Sequence, residues 1–195
     1  MALGETTIPT VSLEAGIGPD NPPCPACGEP LFGWAMVRPA GLPIRRCERC
    51  GLAVAGARAP REDAEAAAEA AAAEGRTPNR RSLQAWIGSS GWAALEPERR
   101  FLFTTEALRR LGHPGVRQRP AIGAMWQTLL NSFTFGHNVA LGRLGKVRAT
   151  PAEEPWKRRL DLGISILATP LAFPAAVIGE LAAAICGRGG RLSIR

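Results

Sequence analysis

The spacing of apolar positions divides the chain into unlike stretches. Residues 1–21 are small and polar, rich in Gly, Pro and Thr, and read as a flexible lead-in. Residues 22–54 show little helical periodicity. Arg61–Glu74, REDAEAAAEAAAAE, has strong helical propensity, with acids in the first turn where the helix dipole favours them. It carries no large apolar side chain, so a solvated helix or helical linker is expected. Gly75–Asn79 breaks it. A short helix over Arg80–Ile87 would carry Leu83, Trp86 and Ile87, and Gly88–Pro97 reads as a loop. Thr104 is a good N-cap for a helix over Thr105–Leu111, with Glu106 in its first turn and Gly112 as its stop. Val116–Arg119 reads as a strand. Ala121–Phe135 and Asn138–Leu144 read as helices split by Gly136.

The last stretch is different. Leu162–Gly179 contains no charged residue, and Trp156, Lys157, Arg158 and Arg159 precede it. It lies at the lower limit for crossing a bilayer, which takes about 20 residues. Pro170 and Pro174 would break or kink a helix there, and Glu180 follows directly. A kinked or re-entrant helix pair in one leaflet is expected, with Trp156–Arg159 at the interface. A buried helical hairpin in a soluble core is the alternative. Gly187–Gly190 ends the stretch, and Arg191–Ile194 reads as a final strand.

A length of 195 residues suits one domain plus a small module. The formal net charge of +7 usually points to nucleic acid or anionic lipid. Here lysine occurs only at Lys146 and Lys157, and Ala, Gly and Pro are abundant. That is the mark of GC-rich coding. Arg76–Arg119 interleaves basic residues with Trp86, Trp92, Phe101 and Phe103, a composition that can bind single-stranded nucleic acid. Glu96, Glu98 and Glu106 dilute the charge, and an aromatic core with a solvated arginine face is favoured; nucleic acid is not an expected partner. Met1–Asp20 has neither a basic start nor an apolar run, so a reducing cytoplasm is expected.

In that setting paired cysteines read as metal ligands or redox groups. Cys24-Pro-Ala-Cys27-Gly28 and Cys47-Glu-Arg-Cys50-Gly51 are matching knuckles at zinc-ribbon spacing. Zinc takes four thiolates in a tetrahedron, and two ligands three positions apart on a tight turn can reach one ion. A glycine after the second cysteine permits the left-handed conformation such a turn needs. Arg45, Arg46 and Arg49 flank the second pair, and positive charge favours thiolate. A redox motif normally uses a single pair. Cys24, Cys27, Cys47 and Cys50 are therefore expected to hold a structural zinc, with no open position for substrate. Cys186 stands alone in an apolar stretch, as a small buried hydrophobe would.

Little else carries chemistry. No glycine-rich phosphate or dinucleotide fingerprint follows a strand. His113 and His137 have no cysteine or acid at motif spacing, and a loop or capping role is favoured. No nucleophile elbow is present.

Taken in order, the motifs resemble the class I S-adenosylmethionine-dependent methyltransferases that begin with a zinc ribbon. The matching pieces are Cys24–Gly28 with Arg46–Leu52, then Thr77-Pro78-Asn79-Arg80-Arg81-Ser82-Leu83. Trp92-Ala-Ala-Leu95-Glu96-Pro97-Glu98-Arg99-Arg100 and Phe103-Thr104-Thr105-Glu106-Ala107-Leu108-Arg109-Arg110-Leu111 follow. Trp126-Gln127, Leu130-Asn131 and Gly189-Gly190-Arg191-Leu192 complete the series. The resemblance implies that Val116–Arg119 and Arg191–Ile194 are the last two strands of the methyltransferase sheet, paired antiparallel, with an exposed inner edge. It implies S-adenosylmethionine as cofactor. The family's D-x-G-x-G-x-G loop would lie between Ala59 and Thr77, where only the Ala/Glu helix is found. No residue is thus assigned to cofactor binding or catalysis, and Arg100 replaces a family histidine.

The expectation is an α+β chain: a small β zinc ribbon, then a mainly α-helical region with a short terminal strand pair. Its parts are the lead-in 1–21, the ribbon 22–56, an Ala/Glu-rich helical linker 57–79, and a methyltransferase C-terminal-like region 80–195 with an apolar segment 162–186. Three functions stay open. One is a methyltransferase relative, inactive alone or part of a split enzyme whose protein partner completes the sheet. The second is a zinc-binding adaptor without catalysis, touching the inner membrane face through 162–186. The third, supported by charge alone, is a nucleic-acid-binding zinc protein.

Overall fold

The computed structural model describes residues 21–37, 43–56, 59–95, 99–135, 138–139 and 155–194. Residues 1–20 of the lead-in, His137, and the expected helix Asn138–Leu144 beyond Val139 lie outside them. The fold is α+β, with small antiparallel sheets around a cysteine cluster, then helices and a terminal strand pair.

The ribbon is built from β1 (Leu31–Val37), β2 (Pro43–Cys47) and β3 (Ala53–Ala55), paired antiparallel in sequence order. A fourth strand, β5 (Phe101–Leu102), comes from much later in the chain and pairs with β3. The ribbon sheet is therefore completed by the C-terminal half, through Ala53 opposite Leu102 and Val54 opposite Phe101.

Helix α1 spans Arg61–Ala73, with Glu62 and Asp63 in its first turn. It is not the solvated helix expected from its composition. Ala64, Ala68 and Ala71 lie on one face and are buried in the core with Leu108, Leu111, Leu192 and Ile194. Alanine has little side chain to fill space, so a buried alanine face works only when its neighbours come close. Gly75 turns the chain into β4 (Arg76–Pro78).

Strand β4 belongs to a second sheet, of order β4-β7-β6, with β6 at Arg117–Arg119 and β7 at Arg191–Ser193. The strand pair β6–β7 is antiparallel, with Gln118 opposite Leu192. The inner edge of β7 is not open, because Thr77 of β4 also lies opposite Leu192. The sequence showed only a helix break there; a three-residue strand containing proline has no periodicity to read.

Helix α2 (Leu83–Gly88) is capped by Ser82, whose hydroxyl accepts the Ala85 N–H. Helix α3 (Thr105–Arg110) is capped by Thr104 and stops at Gly112, φ +94°. Helix α4 (Ile122–Asn131) is shorter than expected and packs along the last helix, α5 (Pro155–Ile185).

Helix α5 is one continuous helix, Pro155–Ile185, containing Pro170 and Pro174. The expected re-entrant pair is therefore not formed; one helix carries both prolines. At 1.5 Å per residue it is about 46 Å long. By length and composition it is apolar enough to cross a membrane, the one such helix among the described residues.

Candidate metal centre

The β1–β2 hairpin sets the site. Leu31 pairs with Cys47, so the turn before β1 and the turn after β2 stand side by side. The two turns repeat one hydrogen-bond pattern. Cys24 N–H donates to the Glu29 carbonyl at 2.7 Å, and Cys47 N–H to the Leu52 carbonyl at 2.8 Å. Gly28 N–H donates to the Cys24 carbonyl at 2.8 Å, and Gly51 N–H to the Cys47 carbonyl at 2.9 Å. Both glycines are left-handed, φ +77° and +75°. A side chain at Gly28 would meet open space. One at Gly51 would lie 2.8 Å from Arg81 Nε and 2.9 Å from Thr104 Cγ2.

This geometry brings the four cysteine sulfurs within 4.8 Å of one another. Cys24 and Cys50 Sγ are 3.6 Å apart, and Cys27 and Cys47 Sγ are 3.4 Å apart. These separations are too long for a disulfide, about 2.05 Å. A tetrahedron with bonds of about 2.3 Å places its sulfurs about 3.8 Å apart. The cluster is thus compatible with a metal ion of zinc's size and softness. Four thiolates close the coordination shell, so such a site holds structure and leaves no position for substrate.

Without a cation two of the thiols, Cys27 and Cys50, resist ionisation. Burial is the main cause that pushes Cys27 up to about 11, and the nearby Cys47 and Cys50 thiols add to it. Cys50 is raised further, chiefly by its contact with Cys24 and then by burial. The flanking arginines do not overcome this, contrary to the expectation from their position. Arg49 is engaged by Glu29 at 2.6 Å and Arg46 lies 3.7 Å from Glu48. A divalent cation is what would make four adjacent thiolates compatible. Their joint charge then exceeds the ion's by two, and Arg81 beside Gly51 is placed to offset part of it.

Thr104 ties the site to the rest of the fold. Its hydroxyl donates to the Cys50 carbonyl at 2.5 Å and accepts the Ala107 N–H at 3.0 Å. The capping role was legible in the sequence; the bond to Cys50 was not. Asn79 has a similar bridging role that its place in the Thr77-Pro78-Asn79 motif does not reveal. Its side-chain amide donates to the Gly189 carbonyl at 2.8 Å, and its oxygen accepts the Arg81 N–H at 3.1 Å.

Other candidates are placed elsewhere. Cys186 is exposed just past α5, not buried as expected. His113 Nε2 lies 3.8 Å from Glu69, with no cysteine beside it in that pairing. Trp92, Phe101 and Phe103 are buried, so their rings present no stacking surface for bases, while Trp86 is exposed. No family model, no curated protein and no solved structure matches the chain.

Proposed function

We propose that this chain is a zinc-stapled relative of the zinc-ribbon methyltransferases that does not bind S-adenosylmethionine by itself, and that it takes part in methyl transfer only with a protein partner. One observation carries the reading. The separate pieces of the resemblance bond to each other. Asn79 of the Thr77-Pro78-Asn79 piece holds Gly189 through its side chain and Gly190 through its N–H, at 2.8 and 2.9 Å. Arg80 N–H donates to the Phe103 carbonyl at 2.9 Å, joining the same piece to Phe103-Thr104. These contacts join the second sheet, through Thr77-Pro78-Asn79 and Gly189-Gly190, to the end of the ribbon sheet at Phe103. The segment where the cofactor loop would precede Thr77 is α1, whose inner face is alanine packed on the core.

Zinc is the metal this reading assigns to the four cysteines, and elemental analysis should return one zinc per chain. Calorimetry with S-adenosylmethionine on the zinc-loaded protein tests the rest. No heat of binding is expected; saturable binding would overturn the reading.

A second reading, a zinc-binding adaptor attached to a membrane without chemistry of its own, is favoured by the exposed apolar side chains of α5.

A further inference from the structure

Helix α5 has its polarity reversed for a helix in water. The residues it buries against the rest of the chain are Asp161, Ser165, Ala172, Ala176, Glu180 and Ala183. At about 100° per residue these form a single row. The opposite row is Leu167, Leu171, Ile178, Leu181 and Ile185, whose exposure runs from 47% to 88%. Between Leu160 and Ile185 the charged residues are Asp161 and Glu180, both fully buried. A surface helix in water turns its apolar side inward and its charges outward. Small and polar residues inward with large apolar ones outward is the arrangement of helices that meet lipid.

The ends of the row carry the complementary chemistry. Lys157, Arg158 and Arg159 stand at one end and Arg188 at the other. Lys157 Nζ lies 5.6 Å from the Trp156 ring centre and 5.7 Å from that of Phe135. The two rings meet edge to face at 5.9 Å. Exposed Trp beside basic side chains is what the boundary between headgroups and acyl chains selects.

The helix is also tied down at two points along its length. Phe135 N–H donates to Asp161 Oδ1 at 2.9 Å. Glu180 accepts the Ala121 N–H and the Gln84 amide, each at 2.9 Å. The two anchors are about 28 Å apart along the axis, close to the thickness of a bilayer core, about 30 Å. A helix crossing the membrane would drag α4, α2 and the Gly189–Gly190 turn into hydrocarbon. A helix lying flat leaves them in water.

We infer that α5 seats flat in the headgroup boundary of an anionic bilayer. Its Leu167–Ile185 row is immersed, and Lys157, Arg158, Arg159 and Arg188 meet lipid phosphates. This rests on the membrane-attached reading above and adds to it the lipid class and the orientation.

The test uses the full zinc-loaded chain and preformed vesicles of phosphatidylcholine, with or without phosphatidylglycerol. Binding should be at least about tenfold tighter with the anionic lipid and weaken with salt. The double variant Leu171→Glu/Ile178→Glu should keep its helical content and zinc, since both side chains are exposed, and lose binding. In anionic nanodiscs carrying a headgroup spin label, the methyl signals of Leu167, Leu171, Ile178 and Ile185 should broaden equally. Broadening that is strong at the ends and weak at the middle would mean a crossing helix, and would overturn the flat seating while keeping the membrane attachment. Equal binding to neutral vesicles would overturn the lipid class. Binding that survives the double variant would overturn the assigned face. No binding to either vesicle would overturn both the inference and the reading beneath it. A dimer that dissociates in the double variant would then name a second copy of the chain as the occupant.

Discussion

The Thr104 hydroxyl reaches the carbonyl of Cys50 at 2.5 Å while it caps α3 at Ala107. One buried side chain thus joins a cysteine knuckle to the first helix of the C-terminal half. Valine has nearly the same shape and makes neither bond. Thr104→Val is expected to cost about 2 kcal/mol, about half from the lost cap and half from the buried carbonyl left bare. Thr104→Ser should keep most of the stability. Urea unfolding of the metal-loaded protein reads this directly; equal midpoints for the valine variant and the parent would mean the link is idle.

The cysteine cluster predicts a pH dependence that metal removes. The Cys27 thiol rises from 9.0 to about 11, mainly through burial. A raised value means that the folded, metal-free chain favours the neutral thiol. That contribution is complete below pH 9 and is lost as the pH climbs through 9 to 11. Metal-free protein should therefore lose stability across this window. Protein saturated with zinc should lose less, because its sulfurs are already thiolates. Urea midpoints at pH 8 and pH 10.5, with and without zinc, decide it; parallel shifts in the two forms would count against metal at Cys27.

What the sequence disclosed was local chemistry. The knuckles could be read because Cys24, Cys27 and Gly28 act within one turn, as do Cys47, Cys50 and Gly51. Thr104 was readable as a cap for the same reason, whereas its bond to Cys50 spans 54 positions. Strand β4 escaped notice because it exists only through β7, more than a hundred residues later by number. Helix α5 was expected to kink or turn back because proline removes a helix hydrogen bond and adds a clash. Both prolines fall on its exposed side, so neither ring disturbs the face packed on the rest of the chain. Cys186, expected to be buried, is exposed, while the Glu180 carboxylate is buried. An apolar composition does not say which face turns inward.

Helix α1 offers a clean comparison between a packed and a solvated face. Ala68 is fully buried, and Ala66 is exposed. Leucine has similar helix propensity to alanine, so the two substitutions differ mainly in packing. Ala68→Leu should destabilise by about 1–3 kcal/mol through overpacking. Ala66→Leu should stay within about 0.5 kcal/mol of the parent. Two near-neutral results would return α1 to the role of a solvated linker.

Glu180 holds three elements at once. Its Oε1 accepts the N–H groups of Ala121, at the start of α4, and of Gly190, just before β7. Its Oε2 accepts the Gln84 amide of α2 at 2.9 Å. The negative charge also sits at the α4 N-terminus, where the helix dipole favours it. Glu180→Gln keeps the shape but turns a donor toward the Gln84 amide. Gln84 cannot simply flip in response, because its Nε2 also donates to the Ala121 carbonyl at 3.0 Å. The expected cost is about 1–3 kcal/mol. Glu180→Ala should cost more, because it leaves two backbone donors without their acceptor. Gly190→Ala should mimic the defect from the other side, since its Cβ would run into Gln84 Nε2. Combining Gly190→Ala with Glu180→Ala should then cost clearly less than the sum of the two, as groups sharing one network do not add. Full additivity in urea unfolding would mean that the carboxylate and the glycine turn act separately, and the three-element junction would have to be abandoned.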